Sequence, residues 1–140
     1  MTNKITKKYI DGLTYEILGC AIEINKELGP GLLESAYEKC LIYLLEQKGF
    51  QIKSQVYLPV KFKEIIIEKG YRMDILVDDL IIVEIKAVDE ISPLHEAQLL
   101  TQLHMAKMPK GILINFNTKN IFYEGQRTFV TKHYQSLPEE

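Results

Sequence analysis

The fold is decided by the stretch Tyr71-Arg72-Met73-Asp74-Ile75-Leu76-Val77-Asp78-Asp79-Leu80-Ile81-Ile82-Val83-Glu84-Ile85-Lys86-Ala87-Val88. Aliphatic and β-branched residues fill two runs, 71–77 and 80–88, which Asp78-Asp79 separates. Such runs, joined by turn-forming residues, predict two strands of a hairpin. The second run is apolar on both faces at its start, and this is typical of a central strand that is covered on both sides.

Outward from this hairpin, the spacing of apolar residues changes along the chain. Intervals of three and four predict helices, whereas strict alternation predicts strands with one wet face. Gly29-Pro30-Gly31 separates the first two helices, and Ser92-Pro93 supplies an N-cap followed by proline for a third. The resulting prediction has helices over 11–28, 32–48 and 92–107, and further strands over 52–62, 65–67, 111–116 and 121–123. Lys69-Gly70 reads as a turn between 65–67 and 71–77.

This order of elements predicts an α/β fold with a four- to five-stranded mixed sheet. Hairpins come first and are followed by a crossover helix, so we expect the N-terminal helices on one face and helix 92–107 on the other. We expect a single domain over residues 1–140, with a core over about 11–124. The polar residues 131–140 read as a loose tail.

Charge and cysteine content restrict the classes of function. The 140 residues carry 17 basic and 19 acidic side chains, a net charge of −2. This balance argues against a protein that coats nucleic acid by charge alone, although it permits an enzyme that meets nucleic acid with the help of a metal. Two cysteines cannot form a multi-bridge framework, which favours a reduced, cytoplasmic protein. No apolar run is long enough to span a membrane, so no membrane partner is expected.

Besides Arg72 near the start of the hairpin, three charged residues interrupt its apolar runs: Asp74 in the first strand, and Glu84 and Lys86 in the second. Glu84 and Lys86 are two residues apart and therefore share a face. Burying a charge is costly unless it is paired or holds a metal. The alternative is that the end of the second strand emerges into solvent, which would leave Glu84 and Lys86 without a special role.

The register of the hairpin decides whether the two carboxylates meet. A two-residue turn at Asp78-Asp79 would place Asp74 opposite Val83, with Glu84 on the other face. A three-residue connection would place Asp74 opposite Glu84, at a Cβ separation of about 4.5–5.5 Å. Carboxylates this close repel unless a cation lies between them, and oxygen ligands suit Mg²⁺ or Mn²⁺. Lys86 could then polarise a water or balance charge in the transition state.

These residues resemble a known family. Asp74, nine intervening residues and then Glu84-Ile85-Lys86 are similar to the signature of the PD-(D/E)XK nuclease superfamily. The segment Gly31-Leu32-Leu33-Glu34-Ser35-Ala36-Tyr37 resembles the motif of its small GxxExxY family. The resemblance extends over about 13–116 and implies the restriction-endonuclease-like core of that superfamily.

The resemblance also implies roles for individual residues. Asp74 and Glu84 would be metal ligands, with the Ile85 backbone carbonyl as a third, and Lys86 would be the catalytic lysine. Glu34 resembles the additional acidic residue that many members place beside the metal, directly or through water. Without such a role, Glu34 would be an exposed helix residue facing a like charge four residues on.

Three further residues are candidates for supporting roles. Gln98 resembles the glutamine of a QxxxY element in related nucleases, but the tyrosine position holds Gln102 in this chain. Two glutamines at this spacing share a helix face and could donate to carboxylates or phosphate oxygens, or could simply be solvated. Tyr37 lies one turn from Glu34 and is either a core aromatic or part of the site wall; its position favours the core.

The leading functional hypothesis is a metal-dependent nuclease that hydrolyses phosphodiester bonds in nucleic acid, with DNA as the expected substrate. Its cofactor would be Mg²⁺ or Mn²⁺. The alternatives are a weak or inactive module of the same fold that binds nucleic acid or protein, and a small-molecule hydrolase with the same metal site. A homodimer is compatible with the sequence. Basic residues on or between the strands could meet a phosphate backbone or merely protect a sheet edge: Lys61, Lys63, Lys69 and Arg72.

Overall fold

The structure is a computed structural model that describes residues 4–140, so residues 1–3 of the predicted domain lie outside the described residues. In chain order, the elements are α1 (Lys7–Leu28), α2 (Glu34–Gln47), β1 (Ile52–Phe62), β2 (Ile65–Val77), β3 (Ile81–Lys86), α3 (Pro93–Ala106), β4 (Lys110–Asn115), α4 (Ile121–Glu124), β5 (Gln126–Val130) and α5 (Lys132–Gln135). In this described part, no helix is both long and apolar enough to cross a bilayer.

The five strands form one mixed sheet in the order β1-β2-β3-β4-β5. β3 and β4 are parallel and are linked by α3, whereas the other neighbouring pairs are antiparallel. A parallel pair needs a crossover connection, and α3 supplies it. The predicted α/β class and the five-stranded mixed sheet are therefore confirmed.

The sheet separates two hydrophobic cores, as its alternating residues require. Ile75, Val83 and Ile112 face the side that α1 and α2 cover. Leu76 and Ile82 face the opposite side and pack with residues of α3. This arrangement confirms that the N-terminal helices and the third helix lie on opposite faces.

Close packing of α3 on the sheet depends on Gly111 in β4. A Cβ at this position would lie 2.9–3.0 Å from methyl carbons of Leu103 and Leu99. The absence of a side chain lets the helix approach the strand closely. Because α3 forms one wall of the candidate site described below, this contact also helps to fix the position of that wall.

The predicted turn at Lys69-Gly70 is wrong, because β2 runs without interruption from Ile65 to Val77. β1 and β2 form a long hairpin with a register irregularity between Leu58 and Val60. A Cβ on Gly70 would overlap Val60 Cγ2, so the glycine permits close approach of the neighbouring strand. Glycine inside a strand often marks a bulge of this kind rather than a turn.

The C-terminal part also differs from the prediction. Residues 121–124 form a helical turn, not a strand, because the Asn120 side chain caps it by accepting from the Tyr123 N–H at 3.0 Å. The strand at this edge is β5, which the sequence analysis missed. In place of a loose tail, the chain forms α5, and the backbone N–H of Lys7 donates to the Pro138 carbonyl at 2.8 Å.

Candidate active site

The β2–β3 hairpin adopts the register that brings the two acidic residues together. Val77 pairs with Ile81, and Ile75 pairs with Val83, so three residues connect the strands. The ladder ends at the Ile75–Val83 pair, and Asp74 and Glu84 are the next residues on the two strands. Glu84 alternates with Ile82 and therefore belongs to the face that α3 covers, whereas β2 is irregular here, since Met73 and Leu76 both pack on the α3 side.

Side chains take over the hydrogen bonding where the ladder between β2 and β3 ends. The Asp74 N–H donates to Glu84 Oε1 at 3.3 Å, and the Ile85 N–H donates to Asp74 Oδ2 at 2.9 Å. Asp74 is 6% exposed and Glu84 is 7% exposed. The backbone of Asp74 therefore binds the Glu84 carboxylate, and the backbone next to Glu84 binds the Asp74 carboxylate. These bonds hold the two buried acids side by side.

The environment of Glu84 favours its protonated form. Burial and the neighbouring charge of Asp74 raise the pKa of Glu84 to about 7, although the Asp74 N–H, the Lys86 charge and a hydrogen bond from Gln102 oppose the rise. Arg72 Nη2 lies 3.3 Å from Asp74 Oδ1 and partly balances the pair. A buried acid whose pKa lies near neutrality is typical of functional sites.

This shift predicts that metal-free protein loses stability as the pH rises. The pKa of Glu84 is about 7 in the folded protein against its usual 4.5, so its stabilising contribution is present below pH 4.5 and is lost as the pH rises through about 7. The full loss is about 3 kcal/mol in the free energy of unfolding. Glu84→Gln removes this dependence.

Urea unfolding with a chelator, at acid and at alkaline pH, measures the effect as the difference between wild type and variant. Glu46→Gln is the matched control, because Glu46 is exposed on α2. A wild-type-minus-variant difference that does not change with pH would contradict the assigned environment of Glu84.

Lys86 is the last residue of β3, and the strand beside it holds it in place. Its carbonyl accepts from the Phe116 N–H at 2.9 Å. The Asn115 side chain accepts from the Val88 N–H at 3.0 Å and donates to the Val88 carbonyl at 2.8 Å. Asn115, which the sequence analysis did not single out, therefore clamps the segment that follows Lys86.

Glu34 lies at the start of α2 and reaches the end of β3. Its Oε2 accepts from the Ala87 N–H at 3.1 Å, next to Lys86. Among residues 4–140, no group of three or more His, Cys, Asp or Glu side chains is arranged to hold a metal ion. Direct ligation by Glu34, and the role of the Ile85 carbonyl, therefore stay predictions.

Tyr37 is a core residue that organises the loop before α2. It is 0% exposed, and its ring stacks on Phe116 with a centroid distance of 4.5 Å. Its hydroxyl donates to the Gly29 carbonyl at 2.5 Å and accepts from the Leu32 N–H at 3.1 Å. Because Gly29 and Gly31 have φ values of 68° and 110°, the loop depends on glycine as well as on this hydroxyl.

Tyr37→Phe is expected to lower the free energy of unfolding by about 1–3 kcal/mol, because two backbone groups lose their common partner. Chemical denaturation of the purified variant measures this loss. Tyr43→Phe is the control, since Tyr43 lies on the same helix and is 62% exposed. Equal stability of the two variants would show that the hydroxyl does not hold the loop.

The two glutamines of α3 lie on the site side of the helix but differ in burial. Gln102 is 7% exposed and lies close enough to Glu84 to lower the pKa of that acid, whereas Gln98 is exposed. Both line a groove that also contains Glu84. The shared helix face agrees with their spacing, and Gln102 is the member of the pair that contacts the acid.

Glu38 is a fourth acid of this region, one turn beyond Glu34, to which the sequence analysis gave no role in the site. Gln55 Nε2 donates to both of its carboxylate oxygens at 2.9 Å. Burial raises the pKa of Glu38, and the charge of Asp74 adds to the rise. The four-residue spacing from Glu34 was the available signal, but only the fold shows that β1 lies close enough to supply Gln55.

The donor set fits a hard divalent cation. Asp74 and Glu84 provide adjacent carboxylates that are both buried. Carboxylate oxygens are ligands that Mg²⁺ and related ions accept. The site therefore has the chemistry, although not a complete preformed cage, for such an ion.

The site thus combines, in one α/β sheet, two buried acids on adjacent strands and a lysine two residues after the second acid. A model of the PD-(D/E)XK nuclease superfamily matches residues 11–128. Because this match covers most of the chain, the protein belongs to that superfamily. Neither a curated protein nor a solved structure matched the chain.

Proposed function

We propose that this protein is a nuclease that hydrolyses phosphodiester bonds with the help of Mg²⁺ or Mn²⁺. The observation that supports the proposal is the contact between the two acids, in which the Asp74 N–H donates to Glu84 Oε1 and the Ile85 N–H donates to Asp74 Oδ2. Lys86 follows on the same face of β3. Superfamily membership supports the reaction class, and the complete set of Asp, Glu and Lys supports an active site.

Each residue of the site has a defined part in this proposal. Asp74 and Glu84 would hold the ion, and the Ile85 carbonyl and Glu34, the latter through water, would complete its surroundings. A divalent ion at this position would supply Lewis-acid polarisation of the scissile phosphate and a lowered pKa for a bound water. Lys86 would orient the attacking water and offset the negative charge that develops on the phosphate.

The neighbours of these residues keep the geometry fixed. Gln102 lies near Glu84 and lowers the pKa of that acid, Arg72 contacts Asp74, and Asn115 holds the backbone after Lys86. Preorganised groups of this kind need no rearrangement at the moment of reaction. We therefore assign them positioning roles rather than direct contact with the reacting atoms.

Finer features of the proposal rest on the sequence. The GxxExxY resemblance over 31–37 favours a small bacterial or archaeal nuclease of that family, with DNA as substrate. The content of two cysteines favours a cytoplasmic location. A homodimer would be the simplest assembly. The net charge of −2 favours the second candidate function, a catalytically inactive binding module with the same fold.

Cleavage assays distinguish the two candidates. Purified protein is incubated with single-stranded and duplex DNA and RNA, with Mg²⁺ or Mn²⁺ and with chelator alone. We expect cleavage that requires the ion and is lost in Asp74→Asn and Glu84→Gln. Asp79→Asn is the control, because Asp79 is an exposed residue of the hairpin turn. Binding without cleavage under every condition would favour the inactive module.

A further inference from the structure

A groove runs beside the proposed site, between the β1–β2 hairpin and α3. Its volume is about 660 Å³, and Glu84 forms part of its wall. Volumes of a few hundred Å³ are typical of sites for small molecules or single chemical groups. The groove is therefore large enough to accept part of a substrate whose reacting bond lies at Glu84.

Unsatisfied polar atoms distinguish this groove from an ordinary surface depression. In the part of the chain that the structure describes, the buried side-chain polar atoms without a hydrogen-bond partner are Tyr71 Oη and Gln102 Oε1. Both residues line this one groove. Leaving such a group unpaired is unfavourable, so a ligand that pairs with both atoms would remove that penalty.

The outer wall of the groove combines aromatic surface with positive charge. Tyr57 is 48% exposed, and Lys69 Nζ lies 4.9 Å from the centre of its ring. The Arg72 side chain is 50% exposed and also lines the groove. Aromatic faces stack on nucleobases, and cations beside them can contact the flanking phosphates.

We propose that this groove binds one unpaired nucleobase, and that the substrate is therefore single-stranded nucleic acid. This inference rests on the proposed nuclease function and specifies its substrate class. The base would lie against Tyr57, with neighbouring phosphates at Lys69 and Arg72. Gln102 Oε1 would accept from an amino or imino group of the base edge, and the Tyr71 hydroxyl would donate to a ring nitrogen or carbonyl.

The same features disfavour other occupants. A base in a duplex has its edge paired and its faces stacked, so it presents neither to the groove without being extruded. A purely apolar ligand would leave Tyr71 Oη and Gln102 Oε1 unpaired. Both atoms are closed off from solvent in this structure, so binding of the base includes a change of side-chain rotamer at Tyr71 and at Gln102.

Fluorescence anisotropy tests the inference independently of cleavage. Wild type is titrated with chelator, at low and fixed salt, against a labelled single-stranded oligonucleotide, its duplex, and a single strand in which every base is removed. We expect the single strand to bind ~10-fold or more tightly than either competitor, because one stacked base contributes about 1–3 kcal/mol. The abasic strand keeps the phosphates and isolates the contribution of the base.

Substitutions at Tyr57 locate the contact. Tyr57→Ala should weaken single-strand binding by ~10-fold or more, whereas Tyr57→Phe, which keeps the ring, should retain it. Tyr43→Ala is the control, since Tyr43 is exposed on α2 and lies outside the groove. Thermal melts of each variant establish that it is folded, so that a loss of affinity is not caused by unfolding.

Equal binding of the duplex or of the abasic strand would overturn the inference, as would a Tyr57→Ala variant with wild-type affinity. These results are separable from a failure of the proposed function. Metal-dependent cleavage with no preference for single strands would support the nuclease activity and exclude base binding in the groove. Base-dependent binding without cleavage under any condition would support base binding in the groove and exclude the nuclease activity.

Discussion

Lys86→Ala is expected to lower the turnover of metal-dependent cleavage by ~10²–10³-fold, which is the usual cost of losing one preorganised electrostatic contact. The same variant should bind Mn²⁺ as tightly as wild type or slightly more tightly. A lysine is not a ligand for a hard cation, and its removal takes a positive charge away from the site. Single-turnover kinetics and calorimetric titration with Mn²⁺ measure the two effects separately.

The design of this experiment depends on a matched lysine. Lys26 is exposed on α1, the helix that covers the other face of the sheet, so Lys26→Ala should leave turnover unchanged. Salt must be low and fixed, since a protein with a net charge of −2 binds polyanions weakly at higher ionic strength. Undiminished cleavage by purified Lys86→Ala would point to a contaminating nuclease or another active site, and the assigned role of Lys86 would be withdrawn.

The acids of the site were predictable because they violate the pattern around them. Asp74 and Glu84 are charged residues inside apolar strands, and burial of such residues requires compensation. The sequence pattern alone did not predict whether the two carboxylates lie close together, because a two-residue turn separates them and a three-residue turn brings them together. The structure connects the strands through three residues, with φ values of 52° and 55° at Asp78 and Asp79. Aspartate tolerates this left-handed region better than most residues do, and the turn thereby sets the register.

Features that depend on contacts between distant segments escaped prediction. Gly70 reads locally as a turn residue, yet it lies in a continuous strand because Val60 approaches it from β1. β5 is short, and most of its residues are exposed at the sheet edge, so it has no strong alternating signal. Each outcome depends on which neighbour the fold supplies, and periodicity contains no such information.

The same reasoning applies to the surroundings of the site. Gln102 and Asn115 look like ordinary polar residues of a helix and a strand end. Their importance comes from Glu84 and Val88, which belong to other elements. The spacing of Gln98 and Gln102 predicted a shared helix face, but the packing of α3 on β4 determined which of the two is buried. Sequence patterns therefore identified the reactive acids better than they identified the residues that position them.

Asp74→Asn is expected to raise the melting temperature of metal-free protein and to abolish the stabilisation that Mn²⁺ gives to wild type. The first effect follows because Asp74 contributes to the unfavourable charge around Glu84. Asparagine keeps an oxygen in the place of Oδ2, which can still accept from the Ile85 N–H. The hydrogen bond from the Ile85 N–H should therefore be retained in the variant, whereas the repulsion between residue 74 and Glu84 should be lost.

The second effect follows from linkage, because an ion that binds only the folded state stabilises it in proportion to its occupancy. At ~100 times the dissociation constant, wild type should gain about 3 kcal/mol in the free energy of unfolding. Thermal melts over a series of Mn²⁺ concentrations measure this gain, which Asp79→Asn should retain because its substitution lies at the exposed turn. A gain in Asp74→Asn equal to that of wild type would exclude Asp74 as a ligand, and the paired acids would then need another explanation for their burial.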